Sequence, residues 1–360
     1  MKKLNVAILG CGRVAGHHAL AINSHTGLNL ISVCDFNKDR LDSFQVNKEV
    51  KKYQNYYEMM EKNNEIDIVA IVTPSGMHFE HAVDIIDQYK KHLVIEKPIV
   101  MNPNQGLKLK NLSIKNNVNI FPSHQYRFNK CAQRIKKGIE NNELGKVFLS
   151  NVRMRWCRTQ DYYDRDAWRG TYSMDGGCLT NQGIHHLDLL RYFMGEVKKV
   201  NSIMKTNGSN IEVEDTAIIN IEFESGAIGI VEITTAARPK DFESSLSIMG
   251  DKGLAMLGGW ATDKLITFSP DPNQENLHSD NFESAYGFGH NEIYDGAYQK
   301  ILGSGPEAIT LDDALKTITF LHAAYKSDED KSWINISDFP VSKRLGRNNE
   351  ELLNIYRIKR

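Results

Sequence analysis

Three stretches of the chain bring together residue types that chemistry uses. The first runs Val6-Ala7-Ile8-Leu9-Gly10-Cys11-Gly12-Arg13-Val14-Ala15, an apolar run of strand length meeting a Gly-x-Gly-x-x-Ala turn, with a helix-like segment from His18 to Ile22 after it. That order suits a dinucleotide pyrophosphate. Gly10 permits the tight turn, Gly12 lets bare backbone approach the phosphates, and Ala15 allows close packing of helix on strand. The helix N-terminus then offers N–H groups and its positive dipole end to the anion. The next strand-like run, Leu28 to Cys34, ends in Asp35. A carboxylate there accepts hydrogen bonds from adenosine ribose hydroxyls and repels a 2′-phosphate, which favours NAD over NADP. Lys38 and Arg40 lie close enough to blunt that discrimination.

The second stretch is Glu96-Lys97-Pro98, directly after the strand-like His92-Leu93-Val94-Ile95. Pro98 biases Lys97 toward an extended backbone, which would hold its amine in a fixed place. A surface lysine before a turn reads the same way. The third is Asp175-Gly176-Gly177-Cys178-Leu179-Thr180-Asn181-Gln182-Gly183-Ile184-His185-His186-Leu187-Asp188. A helix over Thr180 to Phe193 would put Asn181, His185 and Asp188 on one face. Histidine titrates near physiological pH and so suits a general base. A buried, hydrogen-bonded structural histidine accounts for the same pattern. Successive histidines on a helix diverge by about 100°, which argues against His185, His186 and Asp188 sharing a metal, and no metal is expected.

The elements that must position these residues change character along the chain. Ile66 to Val72 is a near-continuous apolar strand, of the kind found in a parallel sheet covered on both faces. It runs into Thr73-Pro74-Ser75-Gly76-Met77-His78, a loop at the strand end where open α/β sheets bind ligands. Helical spacing is read from Asp35 to about Val46, Tyr53 to Lys62, Phe79 to Tyr89 and Asn104 to Asn116, and a last strand from Val118 to Phe121. Residues 1–122 thus form an α/β, doubly wound Rossmann domain. Past Pro122 come a helix from Cys131 to Glu140 and strands at Lys146–Arg155, Val197–Asn207, Asp215–Glu224, Ala227–Thr235, Ser244–Met249 and Leu254–Leu257. Residues 123–360 read as an α+β domain with a large, mostly antiparallel open sheet. Phe268 to Phe288 reads as a polar loop holding two prolines.

The 360 residues suffice for two domains with real cores, and 41% hydrophobic with 25% charged residues is globular composition. A net charge of −1 argues against broad nucleic-acid binding, and the basic end Arg357 to Arg360 reads as solvated. Five scattered cysteines without a Cys-x-x-Cys fit a reducing cytoplasm rather than a disulfide framework or thiolate metal site. No apolar run approaches the roughly 20 residues of a membrane span, and Lys2-Lys3 leads straight into the first strand. A cytoplasmic protein without membrane partners is expected.

In combination and order, Gly10-x-Gly12-x-x-Ala15, Glu96-Lys97-Pro98, and Gly176-Gly177 leading into Gln182-Gly183-Ile184-His185 and Asp188 resemble the Gfo/Idh/MocA family of oxidoreductases over essentially the whole chain. The resemblance implies NAD as cofactor, Lys97 and His185 as active-site lysine and histidine, and a C-terminal sheet with substrate on one side and oligomer contacts, dimeric or tetrameric, on the other. The cofactor set is then Gly10, Gly12, Arg13, Val14, Ala15, Asp35, Thr73, Pro74, His78, Glu96 and Lys97. Asn181 stands where many members carry Asp, and Asn cannot share a proton with a neighbouring base. The Asn-Gln-Gly-Ile-His form is similar to the branch acting on nucleotide-linked sugars, the UDP-N-acetylglucosaminuronate 3-dehydrogenases in particular. For that branch Arg158 and Arg169 would meet a carboxylate or pyrophosphate, with Tyr162, Tyr163 and Trp168 offering ring faces. Aromatic packing around structural arginines is the alternative. Asn181, His185, His290 and Tyr294 complete the substrate set, the last two one helical turn apart. The implied reaction oxidises a secondary alcohol, at C3 of a UDP-linked acetamido sugar or its uronate. Oxidation of inositol or a free sugar, 3-keto reduction, and a non-catalytic NAD sensor are the other readings.

Overall fold

The computed structural model describes residues 2–46, 49–282 and 286–360. By internal contacts it divides into one unit of Met1–Gln125, Phe288–Leu315 and Asn349–Arg360, and a second of Tyr126–Gly287 and Lys316–Asn348. This differs from a single cut between 122 and 123. The cause is the helix His290–Leu302, which buries its Tyr294 and Tyr298 in the first unit, where Gly27 leaves room for the Tyr298 ring and the Lys2 carbonyl accepts its hydroxyl.

In the first unit, β1 (Leu4–Leu9), β2 (Leu28–Cys34), β3 (Lys51–Tyr53), β4 (Ile68–Ile71), β5 (His92–Ile95) and β6 (Ile120–Pro122) form a parallel sheet ordered β3-β2-β1-β4-β5-β6. Every residue of β4 is buried, as a strand covered on both faces requires. The order reverses between β1 and β4, which is where such sheets open a ligand crevice. Register does the rest. Leu9 stands between Cys34 and Ile71, Ile71 beside Ile95, and Ile95 beside Pro122. The residues that follow those strand ends, Asp35, Gly10, Val72, Glu96 and Ser123, therefore emerge in one row.

Two helices are shorter than their spacing suggested. The helix after Asp35 is only Lys38–Ser43, started by the Asn37 side chain accepting the Arg40 N–H. The next begins at Tyr56 because Tyr53 ends β3 and Asn55 caps the first turn.

The second unit carries an eight-stranded sheet built of β7 (Val147–Arg155), β8 (Val197–Lys205), β9 (Thr216–Phe223), β10 (Ile228–Thr234), β11 (Glu243–Gly250), β12 (Leu254–Gly258), β13 (Lys264–Phe268) and β14 (Ile334–Asn335), ordered β13-β12-β11-β7-β10-β9-β8-β14. Only β7 and β10 pair in parallel. Helices Lys130–Glu140 and Ile184–Met194 pack on one face, and Ala217, Ile219, Ile221 and Phe223 of β9 bury against that side while Ile218 and Asn220 point outward. Within the polar stretch after β13, Gln274–Leu277 is a short helix, and Glu283-Ser284-Ala285 lie outside the described residues. No helix among the described residues is long and apolar enough to cross a membrane.

Candidate active site

The glycine turn of the first unit is shaped by its neighbours. Gly10 has φ +103°, and a Cβ there would fall 2.6 Å from the Val72 carbonyl oxygen. The end of β4 thus permits only glycine. A Cβ on Gly12 would meet nothing within 4 Å, so the backbone faces open space there. Helix Ala15–Ser24 starts behind it with no side-chain cap, leaving its first turn available to an anion. Ala15 is fully buried, while Arg13 is exposed and Val14 half-buried. Asp35, 7% exposed, takes the Cys11 N–H at 2.8 Å on one oxygen and the Asn37 N–H at 2.8 Å on the other. Its carboxylate braces the glycine turn from the position where a ribose diol is read. A Gly12 open to space, an uncapped helix start and this carboxylate fit a dinucleotide.

Thr73 and Pro74 follow β4, and His78 sits below them, 1% exposed. Its Nδ1 lies 2.8 Å from the Pro98 carbonyl and its Nε2 2.9 Å from the Thr73 carbonyl. His78 therefore ties the Thr73 loop to the loop holding Lys97, where the Lys97–Pro98 bond is cis. Burial lowers its pKa, and the two carbonyls oppose that. Glu96, His290 and Tyr294 meet in a buried cluster that also contains His18 and Ser123, neither of which sequence reasoning singled out. His18 Nε2 is 3.0 Å and His290 Nε2 3.3 Å from Glu96 Oε1, Ser123 donates to the same oxygen at 2.7 Å, and His18 Nδ1 is 2.9 Å from the Tyr294 hydroxyl. Burial pushes the Glu96 carboxyl up, but the hydrogen bonds from His18 and His290 hold it well below the usual carboxylate range. A signal was present: a histidine in the otherwise apolar His18-Ala19-Leu20-Ala21-Ile22 run needs a polar partner when buried.

In the second unit the helix carrying His185 is Ile184–Met194, begun by Gly183, so the helix expected from Thr180 is corrected. Asn181 lies in the preceding turn, where its amide donates to Asp175, and it shares no helical face with His185. Asp188 is taken by Arg127 through two bonds of 2.6 and 2.7 Å and by the Thr317 hydroxyl at 3.0 Å. These bonds tie the helix to Arg127 and Thr317. The His185 ring stacks on Tyr126 with centroids 4.4 Å apart and is 7% exposed. His186 is fully buried, bonds to the Ser244 hydroxyl at 2.8 Å, and is held down to a pKa of about 4 by burial. The two histidines therefore have different surroundings, as their divergence on the helix requires.

The turn that feeds this helix hangs on Glu214. Its Oε1 accepts the Tyr325 hydroxyl at 2.7 Å and the Leu179 N–H at 3.2 Å. Its carboxyl occupies the space beside Gly177, where a Cβ would fall 2.1 Å from the carboxyl carbon.

Arg158 lies over the Trp156 and Tyr162 rings and bonds Asp241 at 3.1 Å. Arg169 lies over Tyr162 and Trp168, donates to the Tyr162 hydroxyl at 2.8 Å and bonds Asp166. Tyr163 is buried, with its hydroxyl 3.0 Å from that of Thr235. The structure thus gathers Arg158, Tyr162, Trp168 and Arg169 into one aromatic and guanidinium group, while Tyr163 serves the core. His290 and Tyr294, which the sequence reading also put in the substrate set, lie in the first unit.

Known proteins share this architecture. Residues 4–124 match the model of the oxidoreductase family with NAD-binding Rossmann fold, and residues 132–256 match the GFO/IDH/MocA C-terminal domain. The WlbA dehydrogenase from Bordetella pertussis, solved in complex with NADH and UDP-GlcNAcA, superposes with a TM-score of 0.86 at 30% identity, over 93% of this chain and 98% of that one. Myo-inositol 2-dehydrogenase of Thermotoga maritima is 22% identical over 93% of this chain and 99% of its own length. D-glucoside 3-dehydrogenase of Escherichia coli is 28% identical over 71% of this chain and 77% of its own. With a Rossmann sheet that builds a dinucleotide turn, a sheet-bearing second unit and these matches along its length, the chain belongs to the Gfo/Idh/MocA family of NAD-dependent sugar and polyol dehydrogenases.

Proposed function

We propose that this chain oxidises the C3 hydroxyl of a UDP-linked acetamido sugar or its uronate, a step that prepares the sugar for amination in diamino-sugar and cell-surface polysaccharide synthesis. The observation that carries the reading is the 30% identity to a dehydrogenase solved with UDP-GlcNAcA, sustained over nearly the full length of both chains. The Asn181-Gln182-Gly183-Ile184-His185 sequence and the cationic aromatic group of Arg158, Tyr162, Trp168 and Arg169 support it.

When bound, NAD supplies the hydride acceptor, the difficult part of such chemistry. The Gly10–Ala15 turn and Asp35 hold its pyrophosphate and adenosine ribose. Arg13, Val14, Thr73 and Pro74 line the approach. His185 takes the hydroxyl proton, and stacking on Tyr126 fixes the plane of its ring. Lys97 hydrogen-bonds the substrate oxygen and stabilises the negative charge that develops on it. Arg158 and Arg169 meet the pyrophosphate or carboxylate. Asn181, anchored to Asp175, orients the sugar without carrying a proton.

Oxidation of inositol or a free sugar is the second reading, favoured by the myo-inositol and D-glucoside dehydrogenases among the relatives. A melting assay separates the two. A ligand that binds only the native state raises stability by mass action, so UDP-GlcNAcA raises Tm under the first reading and myo-inositol under the second.

A homodimer or homotetramer through the second unit's sheet belongs to the same proposal. On the outward face Ile228, Leu149, Met249 and Leu254 stand side by side across β10, β7, β11 and β12, and Ile203 beside Ile218 across β8 and β9. Four of these six are at least 39% exposed in the single chain, and such a row is the kind of patch a second copy covers. The work would take place in the cytoplasm, where five free thiols persist.

A further inference from the structure

Glu96 immediately precedes Lys97, yet none of its interactions reaches outward. It is 5% exposed, and Oε2 accepts the Lys97 backbone N–H at 3.1 Å. Oε1 gathers the three side-chain donors described above from three elements: His18 on the pyrophosphate-facing helix, Ser123 after β6, and His290 on the helix His290–Leu302. A carboxylate only accepts, so both imidazoles must present Nε2–H to it. His18 Nδ1 lies 2.9 Å from the Tyr294 hydroxyl.

We propose that Glu96, with His18 and His290 as its donors, is a positioning network for Lys97 rather than a contact to NAD. The network fastens the Lys97 peptide to the first helix and to the helix His290–Leu302 through one ionised carboxylate. Tyr294 lies against His18, and Ser123 adds a third donor to the same oxygen. Buried networks of this kind rigidify when every member is satisfied and fail together when one is removed. The same three ligand atoms, His18 Nε2, His290 Nε2 and Glu96 Oε1, lie within 4.8 Å of one another and are the one group among the described residues spaced to hold a metal ion. Hydrogen bonds at 2.7 to 3.3 Å already account for the cluster, and a metal is the competing outcome of the test.

The inference rests on Lys97 acting in the reaction, and its test needs no sugar. Glutamine places its amide nitrogen near the site of histidine Nε2, whereas asparagine reaches only as far as Nδ1. His18→Gln therefore keeps a donor to Glu96 and His18→Asn does not, with the Glu96 charge unchanged in both. The readout is the rate at which acetic anhydride labels Lys97, measured by peptide mass spectrometry against the exposed lysines of the same molecule, alongside NADH affinity. His18→Asn should raise Lys97 labelling by about tenfold, the scale of one charge-assisted hydrogen bond. His18→Gln should restore the wild-type rate, and both should bind NADH as wild type does. His290→Asn and His290→Gln should repeat the pattern. Equal labelling of Asn and Gln variants overturns the proposal. So does a stoichiometric metal whose chelation alone changes Lys97 labelling. If the UDP-sugar reading fails while the labelling pattern holds, the positioning network stands for another substrate.

Discussion

Glu214 gives the sharpest test of how the turn before His185 is held. Burial raises its carboxyl from the ordinary 4.5 to about 7, and the hydrogen bonds from Tyr325 and the Leu179 N–H only partly offset this. The native state therefore holds a proton that the unfolded chain releases above pH 4.5. Between 4.5 and 7 the native state binds more protons than the unfolded one, so stability falls as pH rises through that window. The contribution is fully present below 4.5 and gone above 7. A displacement from 4.5 to about 7 is worth about 3 kcal/mol. Glu214→Gln keeps the volume that fits beside Gly177 and the oxygen that accepts from Tyr325, but removes the titration. Urea unfolding of both proteins from pH 4.5 to 8 should show the variant gaining about 3 kcal/mol relative to wild type across the range, whatever fixed cost the amide carries. Parallel stability curves would refute the reasoning, since they would mean that Glu214 is ionised in the native state throughout.

Other outcomes follow from the site itself. Asp35→Ala should narrow the preference for NAD over NADP by about 1–3 kcal/mol, measured as the ratio of the two Kd values. Equal wild-type affinity for both cofactors would remove Asp35 from that role. His185→Asn should cut turnover by about 10²–10⁴ with NADH binding retained, whereas His186→Asn should alter Tm more than kcat because His186 bonds only inside the core. A folded His185→Asn with near-normal turnover would mean another group is the base. Ile228→Glu places a charge in the outward apolar row and should shift the sedimentation profile toward monomer, and an unchanged profile would move the subunit contact off that face.

The first unit was legible because its information is local. Strand-length apolar runs, glycines at fixed offsets and residues immediately after strand ends need no distant partner to interpret, and in-register pairing then delivered Gly10, Asp35 and Glu96 to one edge. The second unit's strands were legible through alternation, as in β9. What stayed hidden depended on contacts between remote segments. The helix expected from Thr180 begins at Ile184 because Asp175 captures Asn181 and Glu214 holds the Leu179 N–H. That Arg127, distant in sequence, binds both oxygens of Asp188 could not be read from the helix alone. His18 and His290 carry no periodic signal that they share a carboxylate. Nor could the polar stretch around His290 announce that it folds onto the first unit.

The central claim is that the substrate is a nucleotide sugar, and direct turnover tests it. Purified protein is incubated with NAD and either UDP-GlcNAcA, myo-inositol or a free glucoside, while NADH formation is followed by absorbance and the products by mass spectrometry. NADH together with a nucleotide sugar two hydrogens lighter, from UDP-GlcNAcA alone and abolished in His185→Asn, is the predicted result. Oxidation of myo-inositol or the glucoside with none of UDP-GlcNAcA would contradict it.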